Sequence, residues 1–556
     1  MCGIHAVIEL IRRDGSGCTA SNNTQNEITI TDTLRRRLCS RGPDHLGHAA
    51  AEYTPSHTRH RAALQFTSTV LALRGDGLTP QPFSDSASNN ILCWNGEAWK
   101  LNAADVSGND GRQLFDLLSS ADGDDVLQVL RSIDGPFAFV YYDQPAGRLY
   151  YGRDRLGRRS LLQQQRKDGR LSLSSVSDVE AGAAGAASEP WTEVEADGIY
   201  VLNLEADGPL KAQRHDWSTE HAGNPLMVSG LGLFNMSSVP PEGSRIAADS
   251  PSVRQLHDQL AESLRLRVKS IPRPPSPIST EGDTRVAVLF SGGLDCTVLA
   301  RMSHDLVPAD QGIDLINVAF ENPRVASHLP PGVTDVYEAC PDRVTGRRSC
   351  AELQHVCPAR RWRFVAVNVP YTENLEHRPE IVALMHPHNT EMDLSITSAL
   401  YFAARATATM PARVLLSGLG ADELFGGYGR HGVAYKAKGG YAGLADELRL
   451  DVSRLGQRNL GRDDRVFSHW GREVRFPFLD EELVRWAIAL PAWDKCDFAH
   501  DSNTEEEVEP AKRVLRLVAL SLGMAGVAQE KKRAIQFGAR TAKMESGRVK
   551  GTALVS

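Results

Sequence analysis

Cys2 carries chemistry of its own once Met1 is removed. Its thiol then shares one residue with a free α-amine. An α-amine titrates at about 7.7–8.0 and a thiol at about 8.5, so near neutral pH the amine can take the proton of its own side chain. Cys2 is therefore a candidate nucleophile, although a cysteine at position two also occurs by chance.

A second short segment contains hydrogen-bond donors that could serve such a nucleophile. An apolar run over 91–94 leads into the turn-forming sequence Asn95-Gly96-Glu97. The Asn95 amide and the Gly96 backbone N–H can point the same way, and two donors converging on one oxygen form an oxyanion hole. Asp110 opens an amphipathic helical pattern, where it is either the N-cap residue or a ligand.

Phosphate chemistry is indicated by the segment Ser291-Gly-Gly-Leu-Asp-Cys296. It follows an apolar, β-branched run over 285–290 and precedes a helical pattern that includes Val298 and Met302. A strand, a glycine turn and a helix N-terminus aim backbone N–H groups at one point, which binds anions. The segment lacks the Lys-Ser/Thr ending of a P-loop and the third glycine of a dinucleotide fingerprint. The alternative is a tight turn without a ligand.

A similar turn, Ser417-Gly-Leu-Gly-Ala-Asp422-Glu423, follows the apolar run 413–416. Two such turns side by side could clamp one nucleotide. Asp295 and Asp422 would then share Mg2+, which prefers carboxylate and phosphate oxygens. Here too the alternative is a strand-to-helix turn and nothing more.

Length and composition exclude several classes of protein. A chain of 556 residues predicts two or more domains. A net charge of -7 argues against broad binding of nucleic acid or anionic membranes. No apolar run is long enough to span a membrane. The nine cysteines fit no zinc-type spacing and are expected to be free thiols of a cytoplasmic protein.

The two halves of the sequence differ in their pattern of elements. Between 135 and 203, strand-like runs follow one another without helices, which predicts antiparallel sheets. After a join rich in Pro and Gly, Ser252 is predicted to cap a helix. Strand-like runs at 314–320 and 362–369 then alternate with helical patterns. This alternation predicts a doubly wound sheet with ligands at the carboxyl ends of its strands.

The first half contains, in order, Cys2-Gly-Ile, Arg41-Gly-Pro-Asp44, Gln81-Pro82, Asn95-Gly-Glu97, Asp110 and Gly152-Arg-Asp-Arg-Leu-Gly157. This order and spacing resemble the class II glutamine amidotransferases. The resemblance implies a two-sheet αββα fold that hydrolyses glutamine to glutamate and ammonia. It also implies that Cys2 is the nucleophile and that Asn95 and Gly96 form the oxyanion hole. Glu97 and Asp110 would bind the backbone groups of glutamine.

One position departs from that family. The arginine that usually binds the glutamine α-carboxylate falls at Thr69 or Val70. Arg74 lies four residues further on and is predicted on the same strand face, where it could substitute.

The second half contains Ser417-Gly-x-Gly-x-Asp-Glu-x-Phe-Gly-Gly-Tyr428, Val474-Arg-x-Pro-Phe-Leu-Asp480 and Lys512-x-x-Leu-Arg516. These motifs resemble asparagine synthetase. Three further segments are similar to its asparagine synthetase domain-containing branch: 341–347, 427–431 and 532–538. The resemblance implies that the ATP phosphates and the metal are held by Ser291, Gly292, Gly293 and Asp295. It implies that the adenosine pocket is lined by Phe290, Val318, Ser417 and Gly418, and that Lys532 lies near the α-phosphate. Read without the resemblance, Lys532 is a solvated charge in a basic segment.

Three regions follow from these patterns. We expect an α+β αββα glutamine amidotransferase domain over 1–216, a linker over 217–251, and an α/β doubly wound ATP-pyrophosphatase domain over 252–556. The predicted function is a glutamine-dependent amide synthetase that uses ATP and Mg2+. The resemblance indicates aspartate as the carboxylate acceptor and is compatible with a homodimer.

Two residues differ from those that asparagine synthetases carry at the same positions. Leu419 stands where asparagine synthetases carry a glutamate, and leucine can neither accept a proton nor hold a charge. Cys296 replaces the serine of the phosphate loop, which raises sulfur transfer as a minor alternative. Two larger alternatives stay open: a nucleotide-binding homologue with reduced catalysis and a regulatory or binding role, and a glutaminase only.

Overall fold

The computed structural model describes residues 2–12, 30–55, 57, 60–180, 189–206, 208–221, 223–273, 283–328, 335–406, 412–500, 508–544 and 550–555. The chain divides into two compact units. The first comprises Met1–Ala222, Val382–His388 and Gly456–Gly471, and the second comprises Gly223–Ile381, Asn389–Leu455 and Arg472–Ser556. The first unit thus takes in two short segments that follow the predicted linker. The predicted domain boundaries remain a prediction.

Antiparallel strands make up most of the first unit. In the described residues they are β1 (Gly3–Arg12), β2 (His45–Tyr53), β3 (His60–Val70), β4 (Phe83–Ser84), β5 (Ile91–Gly96), β6 (Lys100–Leu101), β7 (Ala104–Asp105), β8 (Ile133–Asp134), β9 (Phe137–Asp143), β10 (Arg148–Arg153), β11 (Leu162–Gln165), β12 (Leu171–Ser174), β13 (Thr192–Glu193), β14 (Gly198–Asn203) and β15 (Ala212–Asp216). Its helices are α1 (Asp32–Arg41), α2 (Asp110–Ser119), α3 (Asp125–Arg131) and, far along the chain, α14 (Leu460–Ser468).

Two six-stranded sheets form the centre of this unit, in the orders β13-β11-β12-β1-β3-β2 and β15-β14-β10-β9-β5-β4. One core cluster joins Ile4 of the first sheet to Val140 of the second. Another joins the second sheet to Leu114 of α2 and Leu130 of α3, and Leu38 of α1 belongs to a third. Burying one face of each sheet against the other and the opposite face against helices gives the predicted αββα layers, which are confirmed.

The second unit alternates strands and helices. Its strands in the described residues are β16 (Met227–Val228), β17 (Gly232–Leu233), β18 (Thr284–Leu289), β19 (Gly312–Phe320), β20 (Trp362–Val369), β21 (Val414–Leu416) and β22 (Glu473–Arg475). The helices after residue 250, α14 aside, are α4 (Pro251–Val268), α5 (Leu294–Leu306), α6 (Pro323–Ala326), α7 (Pro341–Val356), α8 (Tyr371–Met385), α9 (Glu391–Arg405), α10 (Ala421–Phe425), α11 (Gly429–Ala437), α12 (Tyr441–Ser453), α13 (Leu455–Arg458), α15 (Glu481–Ala489), α16 (Arg513–Ser521), α17 (Ala525–Ala528) and α18 (Ile535–Gly538).

The five-stranded sheet of this unit is parallel throughout, in the order β20-β19-β18-β21-β22. The chain moves outward from β18 to β20 and then crosses to β21 on the other side of β18. The order of strands therefore reverses between β18 and β21, the switch point where open α/β sheets bind ligands. The predicted doubly wound sheet is confirmed, and both glycine turns follow the two strands that flank this point.

One predicted helix start is wrong. Ser250, and not Ser252, is the N-cap residue of α4, because Pro251 occupies the first helical position. Proline suits that position since its fixed φ is already helical and its missing N–H is not needed there. Among the described residues, no helix combines the length and the apolar character needed to cross a membrane.

Candidate active sites

Cys2 is buried directly before β1, between Asn95 of β5 and Gln81 of the segment that precedes β4. Its backbone N–H donates a hydrogen bond of 3.0 Å to Asn95 Oδ1 at the end of β5. Its Sγ lies 3.6 Å from the Gln81 Nε2 donor. Gln81 Oε1 in turn accepts from the Trp94 backbone N–H at 2.9 Å, so the Gln81 amide is held at both ends. The structure thus brings Cys2 and Asn95 together, and it adds Gln81.

Asn95 and Gly96 provide two donors at the end of β5. Asn95 is fully buried, and its Nδ2 donates to no acceptor among the described residues. The backbone N–H of Glu97 points the opposite way, to Pro136 O at 2.9 Å. Because N–H groups alternate along a strand, the Gly96 N–H lies on the same side as that of Trp94. This arrangement can stabilise an oxyanion near the Cys2 thiol.

Gly96 is required by packing. A Cβ at this position would lie 2.5 Å from both Pro136 O and the Phe137 Cβ. Real Cβ atoms do not approach so closely, so any larger residue would push β5 away from β9. The spacing of the two donors therefore depends on glycine here.

The predicted location of Arg74 is wrong. β3 ends at Val70, so Arg74 follows the strand and shares no face with Thr69. Its guanidinium instead reaches Ala98 O at 3.4 Å and Val106 O at 3.1 Å. Thr69 Oγ1 accepts from the Gly3 N–H at 3.0 Å and so fixes the start of β1. Arg74 is thereby placed beside the segment that follows Glu97.

Asp110 lies in the same cluster. Its Oδ2 accepts from the Ala98 N–H at 2.8 Å and from Trp94 Nε1 at 3.3 Å. Burial raises the pKa of the carboxyl, and the charge of Arg74 opposes that shift. The N-cap of α2 is Asn109, whose Oδ1 accepts from the Arg112 N–H, so the capping alternative for Asp110 is wrong. The structure brings the three predicted glutamine ligands to one place through Ala98.

Arg41 opens the motif Arg41-Gly-Pro-Asp44, and the sequence predicted no function for it. Its Nε donates to Cys2 O at 3.2 Å, and its Nη2 pairs with Asp464 Oδ2 of α14 at 2.8 Å. Both side chains are fully buried. Because a buried charge needs a partner, Asp464 fixes the arginine that holds the Cys2 carbonyl.

The phosphate loop between β18 and α5 is closely packed against α7. Gly292 has φ +82°, and a Cβ there would lie 2.5 Å from the Gly346 Cα. Gly292 O accepts from Ser349 Oγ at 2.6 Å. Ser291 Oγ accepts from the Gly293 N–H at 3.3 Å. Glycine is needed at 292 for both its backbone conformation and the contact with α7.

The second glycine turn lies directly against the first. A Cβ at Gly418 would lie 2.8 Å from the Asp295 Cβ. Ser417 Oγ accepts from the Leu419 N–H at 3.3 Å, the same serine-to-turn contact that Ser291 makes in the first loop. The predicted side-by-side arrangement of the turns is therefore present at the switch point.

Four charged side chains of alternating sign meet between the two turns. Lys512 Nζ lies 2.7 Å and 2.8 Å from the two Asp295 oxygens and 2.9 Å from Asp422 Oδ1. Lys532 Nζ donates to Asp422 Oδ2. Lys532 therefore contacts a predicted metal ligand, while its side chain stays 33% exposed. Lys512 was not predicted as a site residue, although it begins the motif Lys512-x-x-Leu-Arg516.

These charges shift the ionisation of their neighbours. Burial opposes ionisation of Asp422, but the charges of Lys512 and Lys532 outweigh it and lower the pKa of that carboxyl. For Glu423, burial and then the charge of Asp422 raise the pKa. Tyr428 Oη donates to Glu423 Oε1 at 2.5 Å. Adjacent carboxylates thus have opposite shifts, because Lys512 and Lys532 both pair directly with Asp422, whereas for Glu423 the charge of Lys532 only weakly opposes the effect of burial.

The residues present fit a divalent cation. No group of three or more Cys, His, Asp or Glu in the described residues is arranged to hold a metal. Asp295 and Asp422 nevertheless converge on one cationic atom at 2.7–2.9 Å. Two carboxylates plus nucleotide phosphates are a typical Mg2+ donor set, since this ion keeps few protein ligands.

Two further residues predicted to contact ATP lie beside the loop: Phe290 directly follows β18, and Val318 is in β19. Phe290 is buried, its ring centre 6.4 Å from that of Phe364 in an edge-on contact. Its backbone N–H donates to Ile316 O at 2.7 Å, which places it next to Val318. Cys296 Sγ lies 3.3 Å from Gly293 O, and burial raises its pKa. A buried, protonated thiol of this kind is a poor nucleophile, which disfavours sulfur transfer.

Comparison with known proteins identifies two matching family models in the chain. The family model for the glutamine amidotransferase domain matches residues 1–200, and that for asparagine synthase matches 278–440 and 435–552. The chain is 32% identical to asparagine synthetase domain-containing protein 1 of Mus musculus, over 94% of this chain and 96% of that protein. A Saccharomyces cerevisiae asparagine synthetase domain-containing protein is 33% identical, over 95% of this chain and 92% of that protein.

The chain combines an amidotransferase fold of the N-terminal-nucleophile type with a doubly wound domain that carries two facing glycine turns. This is the architecture of the glutamine-dependent amide synthetases. Within that class, the chain belongs to the family of asparagine synthetase domain-containing proteins.

Proposed function

We propose that the protein is a glutamine-dependent, ATP-consuming amide synthetase with aspartate as its first candidate acceptor. The observation that carries this proposal is the meeting of Asp295, Asp422, Lys512 and Lys532 between two glycine turns at the switch point. Carboxylates can hold a metal beside the pyrophosphate, and ammonium groups can stabilise charge that builds on the α-phosphate. Mg2+ would supply the cation that neutralises the leaving pyrophosphate.

The amidotransferase half supplies the nitrogen in this proposal. After Met1 is removed, Cys2 Sγ attacks the glutamine amide carbon and the freed α-amine takes the thiol proton. Collapse of the tetrahedral intermediate breaks the C–N bond, the α-amine returns the proton to the leaving ammonia, and water then hydrolyses the thioester to glutamate and the free thiol. Asn95 Nδ2 and the Gly96 N–H stabilise the tetrahedral oxyanion. Arg74, Glu97 and Asp110 bind the α-carboxylate and α-amine of glutamine. The buried, unused Nδ2 of Asn95 supports this assignment, because buried donors are rarely left without an acceptor.

The synthetase half then activates the acceptor. Adenylation forms a bond between the carboxylate oxygen and the α-phosphorus and releases pyrophosphate. Ammonia displaces AMP from the acyl-adenylate to give the amide. Phe290, Val318, Ser417 and Gly418 contact the adenosine, and Ser291, Gly292 and Gly293 offer N–H groups to the phosphates.

ATP–pyrophosphate exchange tests the synthetase half. Exchange should depend on aspartate or another small carboxylate and should be lost in Asp422→Asn. If no carboxylate in a broad panel supports exchange, the synthetase proposal is rejected in favour of a nucleotide-binding homologue with a regulatory role.

Glutamate release from glutamine tests the amidotransferase half independently. Cys2→Ala should abolish release, and Cys39→Ala, a partly exposed cysteine outside the cluster, should not. Asn95→Ala should lower the rate by about a hundredfold or more. Release without any exchange would identify a glutaminase only.

A further inference from the structure

Lys512 holds the position between the two carboxylates where the proposed metal would bind. Its Nζ contacts three of their oxygens, at 2.7 Å, 2.8 Å and 2.9 Å. The side chain is only 2% exposed, so these contacts replace its hydration. An ammonium ion and Mg2+ cannot share these oxygens at such distances, because the two cations repel each other.

The backbone of Lys512 is built to keep the ammonium there. Lys512 has φ +54° and ψ 34°, a left-handed conformation that costs a non-glycine residue free energy. Its N–H donates to Phe425 O at 3.1 Å, at the end of the helix that carries Asp422. Such strain persists only where surrounding contacts impose it, and here they fix Lys512 to α10 and to the start of α16.

The charges of the cluster balance without a metal. Asp295 and Asp422 carry two negative charges, and Lys512 and Lys532 carry two positive charges within ion-pairing distance. A divalent cation arriving alone would meet carboxylates that are already paired with lysines and would have to displace Lys512. Nucleotide phosphates change that balance, since they add negative charge and give the displaced ammonium a new partner.

We propose that Lys512 acts as an internal counter-ion that occupies the metal position in the nucleotide-free protein. Asp295 and Asp422 then accept a divalent cation only together with nucleotide phosphates. Lys512 is thus a positioning residue that keeps the two carboxylates at metal spacing and makes cation binding depend on ATP. This inference rests on the proposed nucleotide site.

Binding of Mn2+ in the absence of nucleotide tests the proposal by electron paramagnetic resonance on the full chain. Lys512→Met should bind Mn2+ at least tenfold more tightly than the wild type. The gain should disappear in Lys512→Met combined with Asp295→Asn. Lys531→Met, which removes a lysine side chain that is 83% exposed, should behave as the wild type. A folded Lys512→Met protein with wild-type affinity overturns the proposal.

The wild type alone provides a second test. Lysine acetylation read by mass spectrometry should show Lys512 protected, with Lys531 as the reactive internal standard. Mn2+ alone should leave that protection unchanged, and Mn2+ with α,β-methylene ATP should alter it. Deprotection of Lys512 by Mn2+ alone overturns the proposal. Both readouts are independent of turnover. If Mn2+ binds as expected but no ATP–pyrophosphate exchange is detected, only the proposed synthetase function is rejected.

Discussion

Lys495 is a buried base with an apolar contact. It is 1% exposed, and its Nζ lies 4.6 Å from the centre of the Phe234 ring. Burial lowers its pKa from 10.5 to about 7, against the opposing influence of Cys496 and Asp494. The unfolded chain therefore binds more protons than the folded chain between about pH 7 and 10.5. The free energy of unfolding should therefore rise with pH through that window. Below about pH 7, the folded protein should carry the full cost of burying a charged lysine.

Replacing this lysine should therefore stabilise the protein in a pH-dependent way. We expect Lys495→Met to raise the free energy of unfolding by about 4 kcal/mol more at pH 6 than at pH 10.5, because the cost of lowering the lysine pKa from 10.5 to about 7 is almost fully expressed at the lower pH and almost absent at the higher one. Urea denaturation at the two pH values measures the difference, with Lys531→Met as the exposed control. Equal effects at both pH values would show that the burial of Lys495 does not govern its ionisation.

Leu419 gives a second prediction at the residue scale. It is partly exposed and directly follows Gly418, the residue of the second turn that packs against Asp295, so a longer polar side chain can be accommodated. We expect Leu419→Glu to raise aspartate-dependent ATP–pyrophosphate exchange about tenfold, because a carboxylate can accept a proton where leucine cannot. Leu419→Gln, of the same length without the charge, should give no increase. If both variants match the wild type, Leu419 does not limit adenylation of aspartate.

At the scale of elements, the contact between the phosphate loop and α7 sets the position of the loop. Gly292 and Gly169 both have positive φ, but only Gly292 has a backbone neighbour within reach of a new Cβ. Each alanine substitution should cost about 1 kcal/mol for the left-handed conformation, and Gly292→Ala about 2 kcal/mol more for the clash with Gly346.

Thermal unfolding and binding of α,β-methylene ATP measure these two effects. Gly169→Ala should keep wild-type nucleotide affinity, whereas Gly292→Ala should weaken it at least tenfold. Similar losses in the two variants would mean that backbone conformation alone matters, and that the approach of α7 does not.

At the scale of the whole molecule, α14 completes the surroundings of Cys2 from a distant part of the chain. Asp464 pairs with Arg41, lies 3.6 Å from Arg159 and accepts from the Ser160 N–H at 3.0 Å. Arg465 donates to Ser160 Oγ at 2.8 Å and to Glu193 at 2.6 Å. The first unit therefore depends on residues that follow β21.

We expect Asp464→Asn to lower both stability and glutaminase activity. The substitution leaves the buried Arg41 and Arg159 without a full counter-charge, a change that costs about 3–5 kcal/mol in typical proteins. Glutamate release should fall at least tenfold, because Arg41 also holds Cys2 O. Differential scanning fluorimetry and a glutaminase assay measure the two effects, with the exposed Asp446→Asn as control. Wild-type values in both assays would mean that Asp464 has no part in placing Cys2.

Local patterns predicted much of this architecture. The apolar run 362–369 coincides with β20, and both glycine turns follow strands as expected, because strand and turn signals depend on neighbouring residues. Lys512 and Asp464 were missed because their partners lie 217 and 423 residues away in the sequence. The one available signal was electrostatic, since two acids placed in a buried site require nearby cations. Arg74 was misplaced because nothing local marks the end of β3 at Val70.

The location of α14 also sets an order for biosynthesis. Residues 456–471 emerge from the ribosome long after the two antiparallel sheets have been synthesised. Until then Arg41, Arg159 and Ser160 lack the carboxylate that satisfies them in the finished protein. The nucleophile of the N-terminal half therefore reaches its final surroundings only when most of the chain that consumes its ammonia in the proposed reaction has also been made.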